Sequence, residues 1–216
     1  MNLTSHEIAQ KLESIPAGNR GISRRKPIYG AGVNDVNFIT QTNVNGVAIV
    51  HPGYLCWRGM LARCYSDKYK RKNKTYTGVS VCDDWLSLSK FLEWWKLNRV
   101  DGWHLDKDLL SPGNTVYSPE NCIFVPPWLN SLVLDSKAIR GKFPIGVYHI
   151  KGKDKFTSQL KINGKIKFIG TFDTPDKAAE SYKREKLNHV ESLKDEICKI
   201  DWRLYPGVVA IISTQI

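Results

Sequence analysis

Residues 102–130, GWHLDKDLLSPGNTVYSPENCIFVPPWLN, gather the side chains best suited to chemistry. His104, Asp106 and Asp108 recur at every second position, so an extended backbone puts an imidazole and two carboxylates on one face. An imidazole moves protons, and carboxylates hold cations or act as bases. Lys107 stands among them. A lysine with an ordinary pKa of about 10.4 is a poor base at neutral pH unless it is desolvated or set beside another cation. Asn121 and Asn130 follow, with neutral amides.

The elements that must position these groups are short. Trp103-His104-Leu105-Asp106 alternates and Leu109-Leu110 closes the apolar run, which reads as a strand. Ser111-Pro112-Gly113-Asn114 is a dense turn signal, and Tyr117-Ser118-Pro119-Glu120-Asn121 is a second. Cys122-Ile123-Phe124-Val125 is a β-prone run, and Pro126-Pro127 can open a helix, where proline is tolerated in the first turn. The expected order is strand, strand, helix.

This stretch resembles the HNH nuclease motif. Leu105-Asp106-Lys107 stands where that family has Asp-His, Ser118-Pro119-Glu120-Asn121 matches its middle phrase, and Asn130 falls where its third residue belongs. The resemblance implies a ββα-metal unit in which Asp106 and Asn130 hold one Mg²⁺ or Mn²⁺ and Asn121 braces the loop. The family's general-base histidine is here Lys107. Four readings stay open: His104 supplies the imidazole, Asp108 serves as base or extra ligand, Lys107 holds the scissile phosphate, or the site is inactive. The lead-in, Trp57-x-x-Met60 with Arg63-Cys64-Tyr65, then Val81-Cys82-Asp83-Asp84-Trp85, resembles that of phage-encoded HNH proteins. The likeness covers residues 53–135.

The 216 residues carry a net charge of +11, which points to a polyanion, most simply nucleic acid. Hydrophobic residues at 42% allow packed cores and exclude wholesale disorder. Cys56, Cys64, Cys82, Cys122 and Cys198 contain no CxxC pair, which argues against a zinc ribbon and for reduced, mostly buried thiols. No apolar run is long enough to span a bilayer and no signal-peptide core opens the chain, so the expected location is cytoplasmic.

Ahead of the motif, residues 1–52 read as a helix with capping-box spacing at Thr4 and Glu7, a basic stretch, and a hairpin at Asn45-Gly46. The basic stretch, Arg20, Arg24, Arg25 and Lys26, reads equally as an arm along DNA or a solvated loop. Residues 54–65 read as a helix with Trp57, Met60, Leu61 and Cys64 in the core. Lys68, Lys70, Arg71, Lys72 and Lys74, interleaved with Tyr69 and Tyr76, are candidates for phosphate contact. Asp83 and Asp84 are expected to cap the next helix, whose apolar face is Leu88, Phe91, Leu92 and Trp95.

Residues 136–143 read as a linker. In residues 144–190, three β-prone runs, with a hairpin signal at Asn163-Gly164, precede a helix capped by Thr174. Ala178, Ala179, Tyr182 and Leu187 are its expected buried face. The phrases Gly146-Val147-Tyr148, Asn163-Gly164-Lys165, Gly170-Thr171-Phe172-Asp173-Thr174 and Ala178-Ala179-x-x-Tyr182 resemble the APETALA/ERF-type DNA-binding domain. The resemblance implies a three-stranded antiparallel sheet on one helix, with the sheet laid against DNA. Its candidate contacts are Tyr148, Lys151, Lys153, Lys155, Lys161, Lys165 and Lys167. The tail, 191–216, is expected to add a strand or to pack back on the body.

The chain therefore reads as α+β, a ββα-metal (HNH-like) nuclease unit followed by a small three-stranded sheet packed on a helix. The expected function is metal-dependent hydrolysis of double-stranded DNA by a homing-type endonuclease. The alternative is a catalytically inactive, HNH-derived DNA-binding protein with a regulatory or anti-host role.

Overall fold

The computed structural model describes residues 4–135 and 141–215 as a mixed α+β protein. In chain order the elements are α1 Ser5–Glu13, α2 Asn19–Ser23, β1 Gln41–Val44, β2 Val47–Val50, α3 Pro52–Tyr65, α4 Asp67–Lys72, β3 Ser80–Val81, α5 Leu88–Asn98, β4 His104–Asp106, β5 Val116–Tyr117 and β6 Ile123–Val125. Then come α6 Pro127–Val133, β7 Val147–His149, β8 Phe156–Ile162, β9 Lys165–Phe172, α7 Pro175–Ser192, α8 Lys194–Ile200 and α9 Leu204–Thr214. Two compact units divide the chain, Met1–Asp108 with Gly113–Pro126, and Leu109–Pro112 with Pro127–Ile216. Ser136, Lys137 and Arg140 of the expected linker lie outside the described residues.

In the first unit, α1 opens with the capping box: Glu7 N–H donates to Thr4 Oγ1 at 3.2 Å and Thr4 N–H to Glu7 Oε2 at 2.7 Å. Asn45 and Gly46, with φ of 51° and 81°, make the tight turn between β1 and β2. The buried His51 caps α3 by accepting at Nδ1 from the N–H groups of Gly53 and Tyr54, at 3.1 and 3.3 Å. Its Nε2 faces Glu13 Oε1 at 3.1 Å, which fastens α1 to the start of α3. Trp57, Met60, Leu61 and Cys64 from α3 pack with Phe91, Leu92 and Trp95 from α5 around Trp85. Trp57 Nε1 donates to the Trp85 carbonyl at 2.7 Å, so the largest buried ring also satisfies its polar atom.

Three local expectations change. Ser87, not Asp83 or Asp84, caps α5. The two acids open a 3₁₀ turn, Asp83–Leu86, which buries Trp85 before the helix begins. β4 ends at Asp106 rather than running to Leu110, because Asp106 Oδ1 accepts the Asp108 N–H at 2.8 Å and turns the chain. Tyr117 is a paired strand residue: β5 joins β3 in parallel, with Val81 opposite Tyr117. β4 pairs antiparallel with β6, with Asp106 opposite Ile123, and α6 follows directly.

In the second unit β7, β8 and β9 form one antiparallel sheet in that order. Helix α7 covers one face with Ala178, Ala179 and Tyr182. A bulge between Ser158 and Gln159 sets Ser158 opposite Gly170 and Gln159 opposite Phe168, leaving Ile169 as the extra residue of β9. Gly146, at φ 73°, lies under the Tyr182 ring, where an added Cβ would stand 2.1 Å from the ring. The tail adds helices rather than a strand. Leu204, Val208 and Ile212, four apart, form the buried stripe of α9. Lys186 takes the buried position on α7 expected of Leu187, which is only half-buried. Lys186 Nζ donates to Gln215 Oε1 at 2.8 Å, and Gln215 in turn donates to the Val133 carbonyl through Nε2.

Two predictions follow from this packing. An added Cβ at Gly207 would lie 1.8 Å from the Leu109 carbonyl oxygen, so backbone must move. Gly207→Ala is expected to lower unfolding stability by about 2–3 kcal/mol in a urea titration. Burial pulls the Lys186 ammonium down to about 8. The unfolded chain holds that proton to about pH 10.4, so the stability attributable to Lys186 rises with pH between these values. Lys186→Met is expected to be more stable than the parent at pH 7, by about 2 kcal/mol once the lost Gln215 bond is allowed for. That advantage should shrink as pH rises toward about 10, in the difference between the two stability–pH curves.

Candidate functional site

The site is built at the end of β4. Asp106 is half-buried, and its neighbour Lys107 turns inward, with its side chain only 7% exposed. Burying an ammonium is costly unless it is paired. Here Nζ donates to Asp108 Oδ1 at 2.5 Å and to the Asn114 carbonyl at 2.8 Å. It also stands 5.9 Å from the centre of the Tyr117 ring. Asp108 lies in the turn, away from the strand face, and its carboxylate is engaged by the lysine.

Asn114 holds this turn in shape. Its Nδ2 donates to the carbonyls of Lys107 at 3.0 Å and Val116 at 2.7 Å. Its Oδ1 accepts from Val116 N–H at 3.0 Å and from Asn121 Nδ2 at 3.3 Å. An amide has two donor hydrogens and two acceptor positions, and all are used. Asn121, expected to brace the loop, adds the outer bond to Asn114 and a longer one, 3.5 Å, to the Val116 carbonyl.

Beneath the turn, Arg63 from α3 donates through Nε to Tyr117 Oη at 2.9 Å, and its guanidinium lies 5.4 Å from the centre of that ring. Burial pushes the Tyr117 hydroxyl far above the ordinary tyrosine range, with Arg63 acting against it. Tyr76 is raised in the same way. A recess of about 290 Å³ opens beside these groups, lined by Tyr76, Thr77, Lys107, Asp108, Asn114 and Thr115 among others. One ion pair and several hydroxyls make it polar.

The remaining expected site residues are dispersed. His104 is exposed and shares a face of β4 with Asp106. Asn130 is half-buried on α6, in the second unit. Among the described residues no group of three or more His, Cys, Asp or Glu is placed to hold a metal ion. A cation at Asp106 would draw its other ligands from amides, water or substrate oxygens. The donor at Asp106 fits such an ion: its carboxylate offers hard oxygens and is not fully buried. All five cysteines are free, with Cys64 and Cys122 buried, and burial pushes Cys56 up to about 12 and Cys64 to about 11.

Lys68, Arg71, Lys72 and Lys74 are exposed on or just after α4, while Lys70 lies 6.0 Å from the centre of the Tyr65 ring. Arg25 is a fastener rather than an arm, donating to the carbonyls of Asn34 and Phe38 at 3.0 Å and to that of Val36. On the second unit, Tyr148, Lys151, Lys153, Lys161 and Lys165 are exposed. Lys155 pairs with Asp173, and Lys167 with Glu185 of α7.

No family model, no curated protein and no solved structure matches the chain. The site therefore stands on its own geometry.

Asn114 and the Arg63–Tyr117 pair escaped the sequence reading. Asn114 looks like any turn residue after Pro-Gly, and 54 positions separate Arg63 from Tyr117. Asn114→Ala should cost about 3 kcal/mol in a urea titration, since it leaves several backbone groups unpaired, and Asn121→Ala about 1 kcal/mol. Equal costs would contradict the assignment of the brace to Asn114.

Proposed function

We propose that the chain is a metal-dependent endonuclease acting on double-stranded DNA, in which the first unit cuts and the second holds the duplex. The observation that carries this reading is the order of elements around Asp106. Asp106 closes the first of two antiparallel strands, and a helix bearing Asn130 follows the second without a break. That is the order the HNH resemblance implies for a site cutting phosphodiesters. The charge of +11 supports a polyanionic substrate.

In this reading Asp106 would hold Mg²⁺ or Mn²⁺, which when bound would polarise a phosphoryl oxygen and steady the leaving oxygen. His104, exposed beside Asp106 on β4, takes the proton of the attacking water at Nδ1 or Nε2. Lys107 does not fill the role of the family's base. Its Nζ is turned inward as a donor to Asp108 and Asn114, where it fixes the turn. The exposed cations of the α4 region contact the backbone of the duplex.

The second reading, a DNA-binding protein without catalysis, is favoured by that same inward lysine. A nicking assay on supercoiled DNA separates the two. The wild type should nick with Mg²⁺ or Mn²⁺, Asp106→Ala should not, and both should bind duplex with similar affinity. His104→Ala should slow cleavage by about 100-fold. Binding without cleavage by the wild type would favour the second reading, and wild-type cleavage by Asp106→Ala would overturn the site.

A further inference from the structure

The sheet of the second unit has one face covered by α7 and one that is not. Phe156, Ser158 and Leu160 of β8 are buried on the helix side, so Thr157, Gln159 and Lys161 point the other way. The register sets three rows across this second face: Tyr148–Thr157–Thr171, then Gln159–Phe168, then Lys161–Ile166. Tyr148, Phe168 and Ile166 are 57%, 58% and 70% exposed. No carboxylate lies in these rows, while Lys151 and Lys153 in the β7–β8 turn are exposed beside them. Asp154 in the same turn is exposed as well, but with Lys161 and Lys165 at the other end the cations around the face outnumber it, and a face of exposed rings with a net positive edge is complementary to nucleic acid.

The chemistry of the rows is selective. The only amide at their centre is Gln159, and the side chains around it are Phe168, Ile166 and two threonines. No arginine is present, and the one lysine sits at the end of the face, by the Asn163-Gly164 turn. In the major groove a glutamine matches the N6 donor and N7 acceptor of adenine. Phenylalanine and threonine methyl groups pack on the C5-methyl of thymine, and guanine is read best by arginine or lysine. A two-stranded ribbon fits that groove.

We infer that the uncovered face of β8 and β9 reads A·T base pairs in the major groove, with Gln159 on adenine and Phe168 and Ile166 on thymine methyls. This rests on the reading of the second unit as the part that holds duplex DNA. Lys161, Lys151 and Lys153 contact phosphates around the base contacts and fix the register without selecting bases.

The test is fluorescence anisotropy on the full chain, with EDTA present so that no cleavage occurs. The expected result is about tenfold tighter binding to A·T than to G·C duplexes of equal length. Replacing adenine by 7-deazaadenine, or thymine by uracil, should each remove part of that preference, since both changes lie in the major groove. Gln159→Ala should erase the adenine part, so that affinity for A·T duplex falls toward that for G·C duplex. Equal affinity for A·T and G·C duplexes would overturn this inference while leaving the duplex-binding reading intact. Absence of duplex binding would overturn both. A preference that survives 7-deazaadenine, uracil and Gln159→Ala would place the readout elsewhere and overturn the assignment. Tighter binding to single strands would overturn it in favour of base stacking on Tyr148 and Phe168. Self-association abolished by Phe168→Ser would overturn it in favour of a second copy on this face.

Discussion

The turn after β4 depends on one buried charge. Lys107 carries an ammonium into a nearly water-free position, and that cost is met by Asp108, the Asn114 carbonyl and the face of Tyr117. Once the ammonium is there, the turn has little freedom. Asp108 must face it, Asn114 must present its carbonyl to it, and the Asn114 amide locks both strands of the turn. Asp106 is left at the strand end with its backbone fixed on both sides. A carboxylate placed this way loses little entropy on binding a cation or a substrate group.

Lys107, where the proposed reading would expect a base, thus has a structural role. A histidine at position 107 would offer a base, but it would not supply an ammonium to Asp108 and Asn114. The chain keeps an imidazole close by, at His104, on the strand face it shares with Asp106. The two side chains proposed for metal binding and proton transfer are thus distinct from the one that holds the turn.

Much of this was legible in the sequence where a local pattern determines structure. The α1 capping box, the Asn45-Gly46 and Asn163-Gly164 turns, and the apolar spacing of α3 and α5 each depend on neighbours within a few residues, and each formed as read. What was not legible depends on distant partners. The end of β4 is set by the Asp106 side chain taking its own turn's N–H group, which strand propensity does not register. The apolar run Val208-Val209-Ala210-Ile211-Ile212 suits a strand or a helix. Its burial at Leu204, Val208 and Ile212, with Gly207 pressed on the Leu109 backbone, fixes it as a helix. Lys186 occupies a core position because Gln215, far along the chain, satisfies it. At the candidate site, the sequence phrases singled out Asp106 and Asn121, whereas Asn114 and Arg63 drew no attention because their partners are brought to them by folding.

The central claim is that Asp106 is the pivot of a divalent-cation site and that Asp108, held by Lys107, is not. Titration of the protein with Mn²⁺, followed by electron paramagnetic resonance, tests this without depending on turnover. The account predicts saturable binding that Mg²⁺ displaces, that Asp106→Ala abolishes and that Asp108→Asn retains. Absence of saturable binding, or binding that survives Asp106→Ala and is lost in Asp108→Asn, would contradict it.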